Sequence, residues 1–267
     1  MKNLKIFCMC LDNNYYKIVK KLNYIPVGLK NKNFKKGWLL DNTQKNISKK
    51  NPYYGEYTFY YWYWKNLLKY KKKNEWIGFC SYRELWGNKK KIKTNSITSL
   101  LNKLPKEWSG YEAVIGKPIQ LKKPSIMKIL KYGKISLIRN FKEIFSNKMT
   151  IRFQFDMFHE NGALDKAITL LPIKYRNEFE NYVKKESSFN QGNMFISNSK
   201  KVINKYFSEV FSWLKKCEKI FGFNLHGYSK IRMYTFLAER FLPYWFKKNT
   251  KCIEWPVVYY DINKNKN

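Results

Sequence analysis

The segment from Tyr54 to Trp64 places the strongest constraint on the fold, because eight of its eleven residues are aromatic. It directly follows a polar loop at 30–52, and Pro52 is well placed for the first turn of a helix. Helical spacing is seen for Tyr57, Tyr60, Tyr61, Trp64 and Leu68. A helix that is aromatic on nearly all sides has no face suited to water. The segment therefore predicts a mostly buried helix whose N-terminus receives the polar loop.

Short apolar runs alternate with segments of helical periodicity along the rest of the chain. Continuous apolar runs of this length predict buried strands, and they occur at 4–11, 24–29, 76–80, 111–118, 193–197 and 255–260. Helices are predicted at 163–186, after a Ser199 cap, and at 229–247. Strands that alternate with helices indicate an α/β fold, with a mostly parallel sheet flanked by helices. We expect one domain over 1–262 and a frayed tail at 263–267, while 122–152 remains unassigned.

The net charge of the 267-residue chain is +34, which first suggests a nucleic-acid partner. However, Lys far outnumbers Arg, and an excess of Lys, Asn, Ile, Tyr and Phe runs through the whole chain. Base-edge and bidentate phosphate recognition favour Arg, and no zinc-finger, RNP or basic-zipper pattern is present. We therefore expect no nucleic-acid partner. The charge instead favours an anionic membrane surface or an anionic small substrate.

Cysteine and histidine usage argues against disulfides and structural zinc. The five cysteines form no C-x-x-C pair, and the chain has two histidines. Buried free thiols in a reducing cytoplasm are the simplest interpretation. The apolar run at 4–11 is too short for a signal peptide, and no charge-free segment reaches the length of a membrane span.

Two longer motifs carry a family resemblance. They are 41-DNTQKNISKKNPYYGEYTFYYWYWKN-66 and 76-WIGFCSYREL-85, supported by 24-YIPVGL-29, 192-GNMFI-196 and 232-RMYTFLAERFLPYW-245. Together they resemble a bacterial glycosyltransferase family long known only as a domain of unknown function. Its members are encoded with capsule and lipopolysaccharide genes, and some are galactofuranosyltransferases. The likeness covers most of the chain apart from roughly 120–155.

The resemblance implies a single-domain, GT-A-like (Rossmann-type) hexosyltransferase. Its donor would be a nucleotide sugar, UDP-linked and with UDP-galactofuranose among the candidates. Its acceptor would be a cell-surface polysaccharide or a lipid-linked glycan, at the inner face of the cytoplasmic membrane. Two departures leave alternatives open. Ser81 to Glu84 stand where the family has His-Tyr-Arg-Arg, and Gln44-Lys45 where it has Gly-Asp. An inactive, glycan-binding or scaffolding relative is therefore one alternative, and a basic nucleic-acid-binding protein is the other.

Arg83 is the predicted catalytic cation. Many enzymes of this fold neutralise the leaving diphosphate with a metal held by Asp-x-Asp at a strand end, but 81-SYRE-84 contains no such pair. A guanidinium can clamp a phosphate through two parallel hydrogen bonds. We therefore expect Arg83 to replace the metal, so that no divalent ion is required. The alternatives are that Arg83 forms an ion pair with Glu84 or Glu56, or that Glu84 is a metal ligand.

The predicted donor site joins the first strand end, the 81–84 strand end and the polar loop. Ligands of open α/β sheets bind outside the carboxyl ends of the strands, and a helix N-terminus suits an anion. The donor-binding residues are therefore predicted to be Cys10, Leu11, Asp41, Asn42, Asn46, Tyr82 and Arg83. Ser48 and Asn51 can be explained as caps or turn formers.

The general base is sought among four residues, namely Asp156, His159, Asp165 and Glu239. We favour Glu239, because a buried carboxylate in the segment 238-AER-240 could have a raised pKa. The alternative is an ion pair with Arg240 or Arg232. His159 and Asp165 lie in a segment that loosely resembles a His/Asp-bearing stretch of the family. The resemblance implies that they contact the sugar or acceptor, with a cap or turn role as the alternative. Asn193 is predicted to contact the sugar.

Overall fold

The computed structural model describes residues 3–29, 33–89, 97–122, 125, 148–190 and 192–260. Most of the unassigned segment 122–152 and the tail at 263–267 lie outside these described residues. The strands are β1 (Leu4–Cys10), β2 (Ile25–Gly28), β3 (Leu39–Leu40), β4 (Trp76–Ser81), β5 (Glu84–Trp86), β6 (Ala113–Gly116), β7 (Ile119–Gln120), β8 (Ser188–Phe189), β9 (Phe195–Ser197), β10 (Cys252–Trp255) and β11 (Val257–Tyr259).

Seven of these strands form one mostly parallel sheet, in the order β10-β6-β9-β4-β1-β2-β3. The pairings β1–β2, β1–β4, β2–β3 and β6–β10 are parallel, whereas β9 runs antiparallel to both β4 and β6. The predicted α/β class with a mostly parallel sheet is confirmed. Because β9 is reversed, the residues that precede it lie at the same edge as the carboxyl ends of its neighbours.

The helices flank this sheet. They are α1 (Tyr16–Lys21), α2 (Asn51–Tyr54), α3 (Tyr57–Asn66), α4 (Ile151–Phe158), α5 (Ala163–Ile168), α6 (Ile173–Lys185), α7 (Lys200–Phe221), α8 (Tyr228–Ile231) and α9 (Met233–Asn249). Three predicted elements are divided. The helix at 163–186 is broken before Pro172, the helix at 229–247 becomes α8 and α9, and the last strand is split at Pro256. Proline explains two of these breaks, because it has no N–H to donate.

The aromatic helix is also divided, at Gly55, which lies between α2 and α3 with a φ of 53°. This left-handed region is easily reached only by glycine. The Asn51 side chain donates to the Gly55 carbonyl at 2.9 Å and to Thr58 Oγ1 at 3.0 Å, which holds the turn. Asn51 therefore fixes the angle between the two helices rather than capping one of them.

The core is built on α3, as the aromatic pattern predicts. Phe59 and Tyr60 are fully buried, and Tyr60 packs on Phe79 of β4 with ring centroids 4.8 Å apart. Phe79 in turn packs on Phe195 of β9 at 4.9 Å. Aromatic pairs of this kind contribute about 0.5–1.5 kcal/mol each beyond the area they bury. Helix α3 is thereby fixed against the middle of the sheet.

Helix α7 covers the outer side of α3, and its N-terminus follows the predicted pattern. Ser199 Oγ accepts from Val202 N at 3.2 Å, as a helix cap does. The apolar stripe that begins at Val202 is buried, and Tyr206 shares a 2.6 Å hydrogen bond with Tyr57.

The five cysteines are free thiols, of which only Cys252 is partly exposed. Among the described residues, every helix is too short or too polar to cross a membrane.

Candidate active site

A cavity of about 460 Å³ opens at the carboxyl edge of the central sheet. Met9 and Leu11 line it from the end of β1, residues 81–84 from the end of β4, and Gly192 and Asn193 from the start of the reversed β9. Helices contribute the α2–α3 turn and one face of α9. Sites for small ligands commonly enclose about 300–1,000 Å³. The cavity thus has the position and the size of a ligand site in an open α/β sheet.

The 81–84 turn is held in place by backbone hydrogen bonds. Tyr82 N donates to Met9 O at 3.0 Å, Glu84 N donates to Ser81 Oγ at 3.1 Å, and Tyr260 N donates to Arg83 O at 2.8 Å. These bonds tie the turn to β1 and to the chain after β11. The side chains of residues 82–84 therefore start from a fixed backbone.

The Arg83 side chain is exposed at the cavity, with its guanidinium carbon 5.0 Å from the centroid of the Tyr82 ring. No carboxylate of the described residues forms an ion pair with it. The described residues therefore do not show the alternative ion pair of Arg83 with Glu84 or Glu56. An exposed guanidinium on a fixed turn is suited to an anionic ligand.

Glu56 and Arg232 form a second charged group at the cavity. Arg232 Nη2 donates to Glu56 Oε2 at 3.1 Å, and Asn193 Nδ2 donates to Glu56 Oε1 at 2.7 Å. Burial raises the pKa of Glu56, and the Arg232 charge opposes that rise. A Cβ on Gly55 would lie 2.2 Å from Arg232 Nη2, so only glycine allows this approach. Arg232 therefore pairs with Glu56 and not with Glu239.

Glu239 also lines the cavity, and both of its oxygens have partners. Its Oε1 accepts from Gly192 N at 3.0 Å, and its Oε2 forms an ion pair with Arg240. Arg240 is 2% exposed and also donates to Gln154 Oε1 at 2.8 Å. The ion pair considered as the alternative for Glu239 is thus present, while its carboxylate still lies at the cavity. Its role as the base stays a prediction.

Glu84 is the third carboxylate of the cavity. Burial raises its pKa to about 7, with further contributions from the nearby negative charges of Glu239 and Glu56. A Cβ on Gly192 would lie 2.7 Å from Glu84 Oε2, so this carboxylate lies against the Gly192 backbone. Three glutamates from three different parts of the chain therefore meet at one cavity.

The predicted loop residues do not line this cavity, contrary to the expectation that they converge with Arg83. Asp41 is 1% exposed and accepts a 2.5 Å hydrogen bond from Thr58 Oγ1, and burial raises its pKa to about 6. The Asn46 amide is used within the loop, where it donates to Gln44 O and accepts from Ser48. Asn42 is exposed outside the cavity lining. Their contact with a donor stays a prediction.

The loop nevertheless supports the cavity through a chain of hydrogen bonds. Asp41 accepts from Thr58, and Thr58 Oγ1 accepts from Asn51, which lines the cavity.

The Cys10 side chain is fully buried beside Cys8 and does not reach the cavity, whereas Leu11 and Tyr82 line it. Asn193 lines it as well and joins it to α3, because Tyr60 Oη donates to Asn193 O at 2.6 Å.

His159 and Asp165 lie outside the cavity lining. The His159 ring stacks on Phe236, which does line the cavity, with centroids 4.0 Å apart, and its Nδ1 lies 3.1 Å from Ser229 O. Burial and the nearby Arg240 lower the His159 pKa to about 3, so the ring is neutral at physiological pH. Asp165 lies on α5, and Asp156 accepts from Gly162 N at 2.9 Å. The sugar or acceptor contacts of His159 and Asp165 stay predictions.

Sequence reasoning missed Arg232 as a cavity residue and gave Glu56 only an ion-pair role. Glu56 follows Gly55 inside the aromatic motif, and Arg232 opens the segment 232-RMYTFLAERFLPYW-245, so position within those motifs was the available signal.

Within the described ranges, no group of three or more His, Cys, Asp or Glu could hold a metal ion. A larger cavity of about 890 Å³ lies at the opposite edge of the sheet, beside Leu4, Leu22 and Leu104. That edge holds the amino end of β1, where open α/β sheets do not bind ligands.

The fold and the cavity define an α/β protein with a candidate ligand site at the carboxyl edge of its sheet. Residues 5–250 match the model of the domain of unknown function DUF4422, and the chain belongs to that family. No curated protein matches it. Among solved structures, the apo structure of WbbM, a bifunctional glycosyltransferase, is similar with a TM-score of 0.68 and 18% sequence identity over 97% of this chain. This chain spans 45% of the WbbM chain. The likeness shows that the two share a fold.

Proposed function

We propose that this chain is a glycosyltransferase that moves a sugar from a nucleotide-sugar donor to a glycan acceptor. One observation carries the proposal. Arg83, without an ion-pair partner in the described residues, projects from a fixed turn at the carboxyl edge of a sheet whose fold is shared with a glycosyltransferase. That edge is where open α/β sheets bind nucleotides.

The cavity residues can divide the work of such a reaction. Arg83 is placed to neutralise the charge that develops on the leaving diphosphate, through two parallel hydrogen bonds. Arg232 adds a second cation, oriented by Glu56, which also accepts a hydrogen bond from Asn193. Tyr82 and Tyr228 offer aromatic faces for the nucleobase or sugar. Because the walls are tied together by hydrogen bonds, donor and acceptor would be held in line with little motion.

The finer assignment rests on the resemblance of the motifs. It favours a hexosyl donor linked to UDP, with UDP-galactofuranose as one candidate. It also favours a capsular, lipopolysaccharide or other surface-glycan acceptor, free or lipid-linked. We assign no divalent metal to the site, and Arg83 is the group proposed to act in its place.

A donor screen tests this proposal. Purified protein is incubated with a panel of nucleotide sugars and synthetic or lipid-linked acceptors, and products are detected by mass spectrometry. We expect transfer from a UDP-sugar, and a thermal shift with UDP itself. Binding of UDP-sugars without transfer or hydrolysis would instead support the inactive scaffold. Tight, salt-sensitive binding of RNA or DNA that competes with the nucleotide sugar would support the nucleic-acid-binding alternative.

We further propose a cytoplasmic location, with the protein docked on the anionic inner face of the membrane. The net charge of +34 favours such a surface. Ile220, Phe223 and Tyr228 are 46%, 38% and 73% exposed, and Tyr228 lines the cavity. Lysines at 215, 216 and 219 are exposed on the preceding turns of α7. Apolar side chains among cations suit a lipid headgroup region.

Vesicle co-sedimentation tests the docking. We expect binding to vesicles that contain phosphatidylserine at about 0.1 M salt and release as the salt rises toward about 1 M, because screening shortens the Debye length from about 10 to 3 Å. The double variant Phe223→Ser, Tyr228→Ser should bind less than the parent. Tyr70→Ser is the matched control, since Tyr70 is 69% exposed elsewhere. Vesicle binding that does not change with salt concentration, or that falls equally in both variants, would contradict docking through this surface.

A further inference from the structure

We propose that Glu84 accepts the proton of the attacking acceptor hydroxyl. This inference rests on the proposed function and deepens it, by naming the residue that receives the proton. It differs from the sequence-based prediction, which gave the base role to Glu239.

The contacts of the three cavity carboxylates single out Glu84. Glu56 is held by Asn193 and Arg232, and Glu239 is held by the Gly192 amide and Arg240. In both residues, each carboxylate oxygen already accepts a hydrogen bond or pairs with a cation. No hydrogen bond or ion pair to the Glu84 carboxylate is present in the described part of the chain. Its oxygens are therefore available to a ligand.

The position of Glu84 is nevertheless fixed. It begins β5, where it pairs with Tyr259 of β11, and its amide donates to Ser81 Oγ. Its carboxylate lies against the backbone of Gly192, which has a φ of 91° and no Cβ to displace it. Arg83, the proposed phosphate ligand, is the preceding residue. Arg83 and Glu84 therefore reach the same cavity from one fixed turn.

Burial, together with the charges that face Glu84, sets its proton affinity. Glu239 from α9 and Glu56 from the α2–α3 turn are negative, whereas Arg83 is the positive neighbour. Tyr60 of α3 and Cys80 of β4 also lie close enough to interact with it. Burial is the largest cause, and the resulting pKa of about 7 suits a group that must take up a proton near neutral pH.

The proposed step balances as follows. The acceptor O–H bond breaks and its proton goes to the Glu84 carboxylate. The acceptor oxygen forms a new bond to the anomeric carbon. The bond from that carbon to the diphosphate breaks, and its electron pair leaves with the diphosphate, whose charge Arg83 neutralises. Attack opposite the leaving group in this single displacement would invert the configuration.

The test uses Glu84→Gln, Glu84→Asp and a matched control, Glu107→Gln, an exposed glutamate of the turn Lys106–Trp108. With the donor found in the screen, kcat should fall by about 10²–10⁴-fold in Glu84→Gln. The Asp variant should retain part of the activity, and Glu107→Gln should match the parent. Calorimetry should give a donor Kd within about threefold of the parent for Glu84→Gln, and circular dichroism confirms that each variant is folded.

The pH profile and the product separate a proton acceptor from a structural residue. For the parent, kcat/KM should decline about tenfold per pH unit below pH 7, because the protonated carboxyl cannot act as a base. This decline should be absent from the residual activity of Glu84→Gln. Proton NMR of the product should show the inverted anomer. A retained anomer, or a folded Glu84→Gln with parental kcat and pH profile, overturns the inference. A parent that neither binds nor transfers any donor overturns the proposed function itself.

Discussion

Replacing Arg83 by alanine should lower kcat/KM for sugar transfer by about 10²–10³-fold, the effect typical of losing one preorganised group that stabilises developing charge. The guanidinium is exposed at the cavity and is free of ion pairs in the described residues, so its removal leaves no unpaired partner behind. The free energy of unfolding should therefore stay within about 0.5 kcal/mol of the parent. Steady-state kinetics and urea denaturation give the two numbers.

Two comparisons sharpen this prediction. Arg83→Lys keeps the charge but loses the planar fork, so its activity should fall between those of the parent and the alanine variant. Arg176→Ala is the control, because Arg176 lies outside the cavity lining and, among the described residues, donates to the Leu171 carbonyl. The parent should remain active in EDTA. Full activity in Arg83→Ala, or strict dependence of the parent on manganese, would contradict the clamp.

Replacing Arg240 by methionine should lower the free energy of unfolding by about 3–5 kcal/mol, the usual cost of removing one partner of a buried ion pair. Arg240 is 2% exposed, pairs with Glu239 and donates to Gln154. Its loss leaves the Glu239 carboxylate, whose side chain is 16% exposed, without its cation. Urea unfolding followed by circular dichroism measures the change.

The double variant Glu239→Gln, Arg240→Met provides the check, because the neutral amide no longer needs a cation. It should recover about half of the lost stability, and the interaction energy follows from the double-mutant cycle. If the double variant is no more stable than Arg240→Met alone, the ion pair is not the source of the loss.

The layout of the fold follows from local patterns that sequence reasoning can read. The apolar runs at 4–11 and 76–80 become the paired strands β1 and β4, and the aromatic segment becomes buried helix. Division of that segment at Gly55 was not predicted, because its apolar spacing continues across the break. The reversal of β9 was not predicted either, because periodicity carries no information about strand direction.

The cavity could be predicted only in part, for a similar reason. Leu11, Tyr82, Arg83, Asn193 and Glu239 were selected from strand ends and motifs, and the structure brings all five to one cavity. Asp41 was selected because it is polar and lies in a loop, but it is buried outside the cavity lining, where it accepts a hydrogen bond from Thr58. Long-range packing decides which polar side chains line the cavity and which ones hydrogen-bond behind it to hold the lining residues in place.

The central claim is that the cavity between β1, β4 and α9 holds a nucleotide sugar. A crystal structure of the protein with UDP or the screened donor tests this most directly. The account predicts a diphosphate within hydrogen-bonding distance of Arg83 or Arg232, with the sugar toward Glu84 and Glu239. A nucleotide bound instead in the cavity beside Leu22 and Leu104, or anywhere that leaves Arg83 uncontacted, would contradict it.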